Sequence, residues 1–391
     1  MRCLWITRQD PRPANSGEII YSKGLLYSLA KVAGLEITVL TYQPPDTNSP
    51  QDSPENIHWE IAGPLPRRTA KHLLSSLPSD AARLGERVIQ EPLSRLLAQK
   101  WDFLIVDQAA CAWVLDWPTP LPPLIYLSHN HEAAIRPEIA AESSKPWPIK
   151  WIYQRDAARY ARLEKRLLTE AALVTAITRE DADEFRALVP DLETLVLMPG
   201  YRQEALTPPT PADLSQRPRK VVLTGAFQWV AKARNLEEFL SAADGPFQAA
   251  KVSLSVVGKV DDPGYFERLG RDYPWAEFHP NVPAVAPFLR DSRMGVLPDT
   301  LGGGFKLKAL DYIFNGLPLA AVSSSLRGLP PEVCADVVKG DSHPELVEAI
   351  VASIDETETL SAAAHSNLST LAGRFSWDDR GQQLANKMRK L

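Results

Sequence analysis

Short apolar runs recur along the whole chain, each ending in a polar or glycine-containing loop and giving way to a helix-spaced segment. This alternation constrains the fold more than any other feature. RCLWIT (2–7) leads into the loop QDPRPANSGE. A helical pattern over 18–32 follows, with Ile19, Leu25, Leu26 and Leu29 on one side, then a second run, EITVLT (36–41). Runs apolar on both faces and joined by helices are buried parallel strands of a doubly wound sheet. Further strands are predicted at 57–61, 103–107 (FLIVD), 123–128 (PLIYLS), 173–178 and 195–198, with helices over 79–99 and 147–169. A second series contains KVVLT (220–224), VSLSVV (252–257), 276–279, 294–297 and PLAAV (318–322). Helices are expected from near Leu236 and over 263–273, 283–290, 305–314, 343–354, 356–371 and 377–391.

Between the two series the chain reads RQEALTPPTPADLSQRP, where proline density rises and apolar content falls, as in a linker. The expected organisation is a first Rossmann-like domain over 1–200, a linker over 201–218 and a second Rossmann-like domain over 219–365. A terminal helix over 366–391 packs back on the first domain. The fold class is α/β: two doubly wound parallel-sheet domains facing across a cleft. A chain of 391 residues suffices for two such cores.

The net charge of −5 excludes a general nucleic-acid footprint. Cys3, Cys111 and Cys334 are far apart and odd in number. No Cys/His cluster exists, so neither a disulfide framework nor a metal site is predicted. The opening MRCLWITRQD is too short in apolar residues for a signal peptide, and no run reaches membrane-span length. These features predict a cytoplasmic protein.

Ligands of such sheets bind beyond the carboxyl ends of the strands, and three polar clusters fall there. Asn15, Ser16 and Gly17 follow the first strand, without the GxGxxG of dinucleotide sites. His129, Asn130, His131 and Glu132 follow PLIYLS, and His129 and Glu132 are capable of acid–base work. In LGGGFKLKALDYIFNGLP (301–318), Gly302, Gly303 and Gly304 form a loop at the head of a helix carrying Lys306 and Lys308. Free N–H groups, the positive end of the helix dipole and the ammonium groups together suit an anion. Over 147–166 lie Lys150, Arg155, Arg159, Arg162, Lys165 and Arg166 with Trp147, Trp151 and Tyr153. Such a run is either a solvated helix face or a peripheral contact with the inner face of a membrane.

Six segments in this order resemble the family 4-like retaining glycosyltransferases of the GT-B fold (the group 1 type). They are PRPANSGE, LSHNHE, VLMPGY, LTGAFQW with Lys232, VVGKV, and GGGFKLKALDYIFNGLP. The resemblance implies a hexosyltransferase of polysaccharide biosynthesis type. It would move sugar from a nucleoside diphosphate sugar to a hydroxyl acceptor, with retention and with neither cofactor nor metal. It places Gly17, Gly302, Gly303, Gly304 and Lys306 at the donor diphosphate, and His129, Lys232 and Lys308 among the catalytic residues. Asp311, Gly258, Pro280 and Val282 fall at the ribose and base, and Ser16, Asn130 and Glu132 at the acceptor or sugar. The sequence departs from the family in three places. Gly303 stands where a second carboxylate is common, Asp311 is one methylene shorter than the usual glutamate, and Ala226 replaces a frequent arginine. A non-catalytic scaffold of the same fold and a nucleotide-sugar 2-epimerase are the alternatives.

Overall fold

The computed structural model describes residues 1–12, 16–43, 53–141, 146–201, 206–300 and 304–391, with the side chain of Val230 left aside. The chain divides into two compact units, Met1–Gly200 with Ser376–Leu391, and Tyr201–Phe375.

The first unit is built on β1 (Arg2–Ile6), β2 (Glu36–Thr41), β3 (Ile57–Ile61), β4 (Phe103–Asp107), β5 (Leu124–Leu127), β6 (Leu173–Ala176) and β7 (Thr194–Val196). Their spatial order is β3-β2-β1-β4-β5-β6-β7 and the pairs are parallel. The second unit has β8 (Lys220–Ala226), β9 (Ser253–Lys259), β10 (Ala276–Pro280), β11 (Met294–Leu297), β12 (Leu319–Val322) and β13 (Val338–Gly340). Here the order is β10-β9-β8-β11-β12-β13, again parallel. In each sheet the winding reverses beside the unit's first strand, between β1 and β4 and between β8 and β11. Chain leaving neighbouring strands there diverges to opposite faces and opens a crevice at the carboxyl ends. Strands such as β1, β4 and β5 are buried at almost every position, as two covered faces require.

Several elements differ from the sequence expectation. The stretch 79–99 breaks into Ser79–Leu84 and Arg87–Leu97. A Cβ on the intervening Gly85 would lie 2.9 Å from the Trp113 ring, so close ring packing occupies the corner. The helix expected from near Leu236 starts at Val230 and runs to Ala250. It is held by the buried Leu236, Phe239, Leu240, Ala243 and Phe247. The helix of the glycine-rich stretch is Leu307–Phe314, with Lys306 as its N-cap residue. The proline-rich segment read as a linker belongs largely to the second unit. Pro208 and Pro209 are buried, the Pro209 carbonyl accepts the Ser361 hydroxyl at 2.8 Å, and Pro211–Gln216 is helical.

The C-terminal helix Trp377–Met388 packs on the helix Gly17–Ala30 within the first unit. Arg380 Nε donates to the Met198 carbonyl at 2.8 Å, and Lys31 pairs with Asp378 at 2.7 Å. The Trp377 indole lies where Gly24 and Gly200 have no side chain: an added Cβ would fall 2.3 Å and 2.4 Å from ring atoms. Alanine inside a helix is ordinarily favoured over glycine by about 1 kcal/mol. At Gly24 the sign reverses, because the rigid indole would have to be displaced. Gly24→Ala is expected to destabilise the protein by about 1–3 kcal/mol in chemical denaturation, and a neutral or stabilising result would refute this packing.

Candidate donor and acceptor sites

At the reversal point of the second sheet, three chain segments meet on one carboxylate. Lys232, in the first turn of the helix after β8, hydrogen-bonds Asp299 Oδ1 through its ammonium group. Lys308, in the first turn of Leu307–Phe314, places Nζ 2.6 Å from Asp299 Oδ2. Asp299 follows β11 and its side chain is 1 % exposed. Its backbone is pinned on every side. The Asp299 carbonyl accepts Ser325 Oγ at 2.9 Å, and His343 Nε2 donates to the Pro298 carbonyl at 2.7 Å. Thr300 Oγ1 lies 3.1 Å from Asn235 Oδ1. The helix bearing Lys308 is docked by Tyr312. Its ring covers Gly295 of β11, where a Cβ would sit 2.5 Å away, and its hydroxyl accepts the Thr224 N–H of β8 at 2.9 Å.

The electrostatics follow from this crowding. Burial would raise the Asp299 pKa, but Lys308, Lys232 and Lys306 override it and hold the carboxyl far below its usual range. Lys306 is buried at the helix N-cap. Burial first and then the Lys232 charge push it down to about 7, against the opposing pull of Asp299. Burial likewise lowers Lys308. Three amines thus surround one anion at the head of a helix, an arrangement that favours further negative charge. Gly304 beside it has φ +72°, a conformation that glycine adopts without strain. Gly302 and Gly303 lie outside the described residues.

One turn past Lys308, Asp311 is half-buried and accepts a hydrogen bond from the Tyr201 hydroxyl. Burial outweighs that bond and raises Asp311 to about 6. Tyr201 is fixed by its stack on Phe314 (4.4 Å between centroids) and by its N–H on the Phe375 carbonyl at 2.7 Å. Gly258, Pro280 and Val282 lie apart from the lysines in sequence and strand order, at the ends of β9 and β10. Gly258 has a packing reason of its own: a Cβ would lie 1.9 Å from the Gly225 carbonyl oxygen. Its carbonyl is used by the Asn281 N–H at 2.8 Å. Pro280 is exposed and Val282 half-exposed.

In the first unit, Ser16 is the N-cap residue of Gly17–Ala30. Its hydroxyl does not cap the helix, and Gly17 is exposed. Among the described residues, no side chain caps the start of this 14-residue helix beyond β1. His129, beyond β5, is 8 % exposed and fully oriented. Nε2 lies 2.7 Å from Asp107 Oδ1, and Trp5 Nε1 donates to the other Asp107 oxygen at 3.1 Å. The Gln108 amide nitrogen is 3.5 Å from Nδ1, and Tyr21 meets the ring edge-on at 5.0 Å. Because Asp107 can only accept when ionised, the His129 proton belongs on Nε2.

Glu132 opens the helix Glu132–Ala141 and binds Arg136 Nε at 2.5 Å. The N–H groups of Glu132 and Ala133 donate to the buried Glu164 at 3.1 and 2.7 Å. Glu132 is therefore occupied by an ion pair. Burial raises Glu164 to about 8 despite its bond from the Ala133 N–H, with the Glu132 charge adding to the rise. Asn130 is half-buried, and its carbonyl accepts Ser128 Oγ at 2.8 Å.

The structure thus gathers Lys232, Lys306 and Lys308 at one strand-exit site. It adds Asp299, Tyr201 and Asp107, which sequence reasoning passed over. Asp107 and Asp299 both stand at or just past the end of an apolar strand, and that position was the available signal. Among the described residues, no group of three or more His, Cys, Asp or Glu side chains could hold a metal ion. No described helix is long and apolar enough to cross a membrane.

Two doubly wound parallel sheets in series, each with its polar cluster at the reversal point, define the GT-B class. Solved structures agree with that. The chain is similar to WaaG, a glycosyltransferase involved in lipopolysaccharide biosynthesis, at 14 % identity and a TM-score of 0.68 over 98 % of this chain and 99 % of that one. Anabaena HepE in complex with UDP gives 14 % identity and 0.65 over the whole of both chains. The α,α-trehalose 6-phosphate synthase of Burkholderia multivorans gives 13 % and 0.67 over 100 % and 98 %. No curated protein matches the chain by sequence. Residues 218–358 match the family model Glycosyl transferases group 1.

Removing the carboxylate leaves the ammonium groups of the partly exposed Lys232 and the more enclosed Lys308 unpaired. Asp299→Asn is expected to lose about 3 kcal/mol in urea unfolding at neutral pH. Adding Lys308→Met should recover part of the loss, since one unpaired charge disappears. Additive losses would contradict the ion pair.

Proposed function

We propose that the protein is a glycosyltransferase that moves a hexose-type sugar from a nucleoside diphosphate sugar to a hydroxyl of a glycan, a lipid-linked glycan or a small molecule. It acts with retention and needs neither cofactor nor metal ion. One observation carries the reading: within the group 1 glycosyltransferase domain, Lys232, Lys306 and Lys308 surround Asp299 beside Gly304 at a helix N-terminus. Structures of similar fold hold UDP or a UDP-sugar, so UDP-sugars are the donors to test first.

In the transfer, the bond from the anomeric carbon to the phosphate oxygen breaks and a bond to the acceptor oxygen forms. Negative charge develops on the departing diphosphate. Ammonium groups and helix N–H groups already aimed at that position stabilise it without reorganisation. Lys232, the more exposed of the two lysines on Asp299, is the one free to transfer its ammonium to the phosphate. Asp311 accepts the ribose hydroxyls, with Tyr201 holding its carboxylate. His129, with Nε2 committed to Asp107, orients sugar or acceptor, and the acceptor's proton leaves on the departing phosphate oxygen.

Lys232→Ala should lower transfer by about 10²-fold or more with the fold intact. Unchanged turnover would remove its role. NMR of the product anomer decides retention, and EDTA should leave the rate unaltered. Conversion of donor in the absence of acceptor would point to the epimerase. Calorimetry showing no binding of any UDP- or GDP-sugar would point to the scaffold.

Asp311 supplies a pH test. As an acceptor it must be ionised, so donor affinity should fall as pH drops through about 6, where the group takes up its proton. Tyr201→Phe removes the bond that favours the ionised form and should move that midpoint upward. A midpoint that stays in place would detach Tyr201 from Asp311.

A further inference from the structure

The basic helix of the first unit, Trp147–Glu170, is buried in its second half. Ala157, Tyr160, Leu163, Glu164, Leu167 and Leu168 face inward. The structure also removes two of the basic residues that the sequence grouped together. Arg159 is buried and donates to the Leu73 carbonyl at 2.9 Å. Arg166 is paired with Asp116 at 2.7 Å and Glu170 at 3.2 Å. What stays outside is ordered. Trp147, Trp151, Arg155, Ala158, Arg162 and Lys165 follow at intervals of four, four, three, four and three, and all are exposed. This is one face of a helix, about 27 Å long at 1.5 Å per residue, and it carries no acidic residue.

Its two ends differ. Trp147 is 78 % exposed and Trp151 55 %, while the other end is cationic. Arg155 lies 5.7 Å from the Trp151 ring and joins the two. Leu74, at the end of the short helix whose Leu73 carbonyl binds Arg159, is 78 % exposed as well. An ordinary solvated face mixes both charge signs and seldom displays two indoles. A protein partner would account for the indoles and arginines, which are enriched at interfaces, but less well for an extended run of cations that includes Lys165 and has no acidic residue among it. A second copy related by a two-fold axis would set like charges together.

We propose that this face is a docking surface for an anionic lipid bilayer, with Trp147 and Trp151 seated at the headgroup level and Arg155, Arg162 and Lys165 against the charged surface. It joins the transferase reading only in that a lipid-borne acceptor is met at a bilayer. Vesicle binding needs no donor, so its outcome is separate from that of the transfer assays.

The test uses the full chain and two vesicle preparations, phosphatidylcholine alone and phosphatidylcholine mixed with phosphatidylglycerol. Sedimentation with the mixed vesicles only, weakening as salt rises, is the expected result. A basic residue near an anionic surface contributes about fivefold to partitioning. Arg155→Glu, Arg162→Glu and Lys165→Glu together should therefore reduce it by about 100-fold or more. Trp147→Ser with Trp151→Ser should also weaken it, and this pair decides the matter if the triple variant fails to fold. Equal binding to neutral vesicles, no binding to either, unaltered binding by both variants, or self-association through this face would each overturn the proposal.

Discussion

Ammonium groups drawn together in a partly desolvated crevice repel one another unless an anion lies between them. In this protein that anion is Asp299, and the second unit's cationic site is arranged around it. At an effective dielectric of 20, unit charges 4 Å apart interact by about 4 kcal/mol. Lys232, Lys306 and Lys308 would repel on that scale if nothing intervened. The backbone carbonyl of Asp299 is held by Ser325 Oγ, and the carbonyl before it by His343. The two lysines are thus oriented before any ligand arrives, and the remaining positive charge is opposed by desolvation and by its neighbouring ammonium groups. That opposition shows in Lys306, pushed down to about 7 by burial and Lys232 together. A polyanion entering here would restore the charge balance, the physical reason for proposing a diphosphate at this site.

The convergence depends on strand order. Lys232 and Asp299 are 67 residues apart, and they meet because β8 pairs with β11 across the reversal of the sheet. The same rule brings Asp107 and His129 together through the pairing of β4 with β5, in which Asp107 faces Leu127. Local pattern was therefore enough to find one member of each pair. The glycine loop, its lysines and the histidine at a strand exit carry their chemistry in their immediate neighbours. Asp299 reads locally as a turn residue in PDT, and Asp107 as the end of FLIVD. Their roles depend on which strands are neighbours, and that becomes visible only in the sheet.

Two further differences have the same origin. The segment ending at Pro218 has the composition of a linker, yet Pro208 and Pro209 are buried. A Cβ on Gly316 would meet Pro208 at 2.8 Å. Proline supplies apolar surface at low entropic cost when its fixed φ fits the path, so proline density alone does not separate a linker from a packed strap. Tyr201 was passed over for the same reason, since its use depends on Phe314 and Phe375 at the far end of the unit. The alternation of strands and helices was legible throughout, because burial of both sheet faces imposes it on every element. Helix starts were less so. Val230 begins a helix despite the aromatic residues before it, because the helix buries Phe239 and Phe247.

The two reversal points are chemically unlike, and the contrast bears on mechanism. The second sheet concentrates amines where negative charge would develop. The first presents a helix start at Gly17 without a side-chain cap among the described residues and a histidine whose Nε2 is already engaged by Asp107. For that histidine to act as a free general base, its remaining nitrogen, Nδ1, would have to leave the Gln108 amide. It would also have to face substrate from a ring that is 8 % exposed. Glu132, the other acid–base candidate, is tied to Arg136. With both groups committed, the proposed reaction passes the acceptor's proton to the oxygen that leaves with the diphosphate. In that proposed reaction the lysines would stabilise the charge on this oxygen and temper its basicity until the bond has broken. Such a coupling would favour attack from the side on which the leaving group departs, and it is the physical reason for proposing retention.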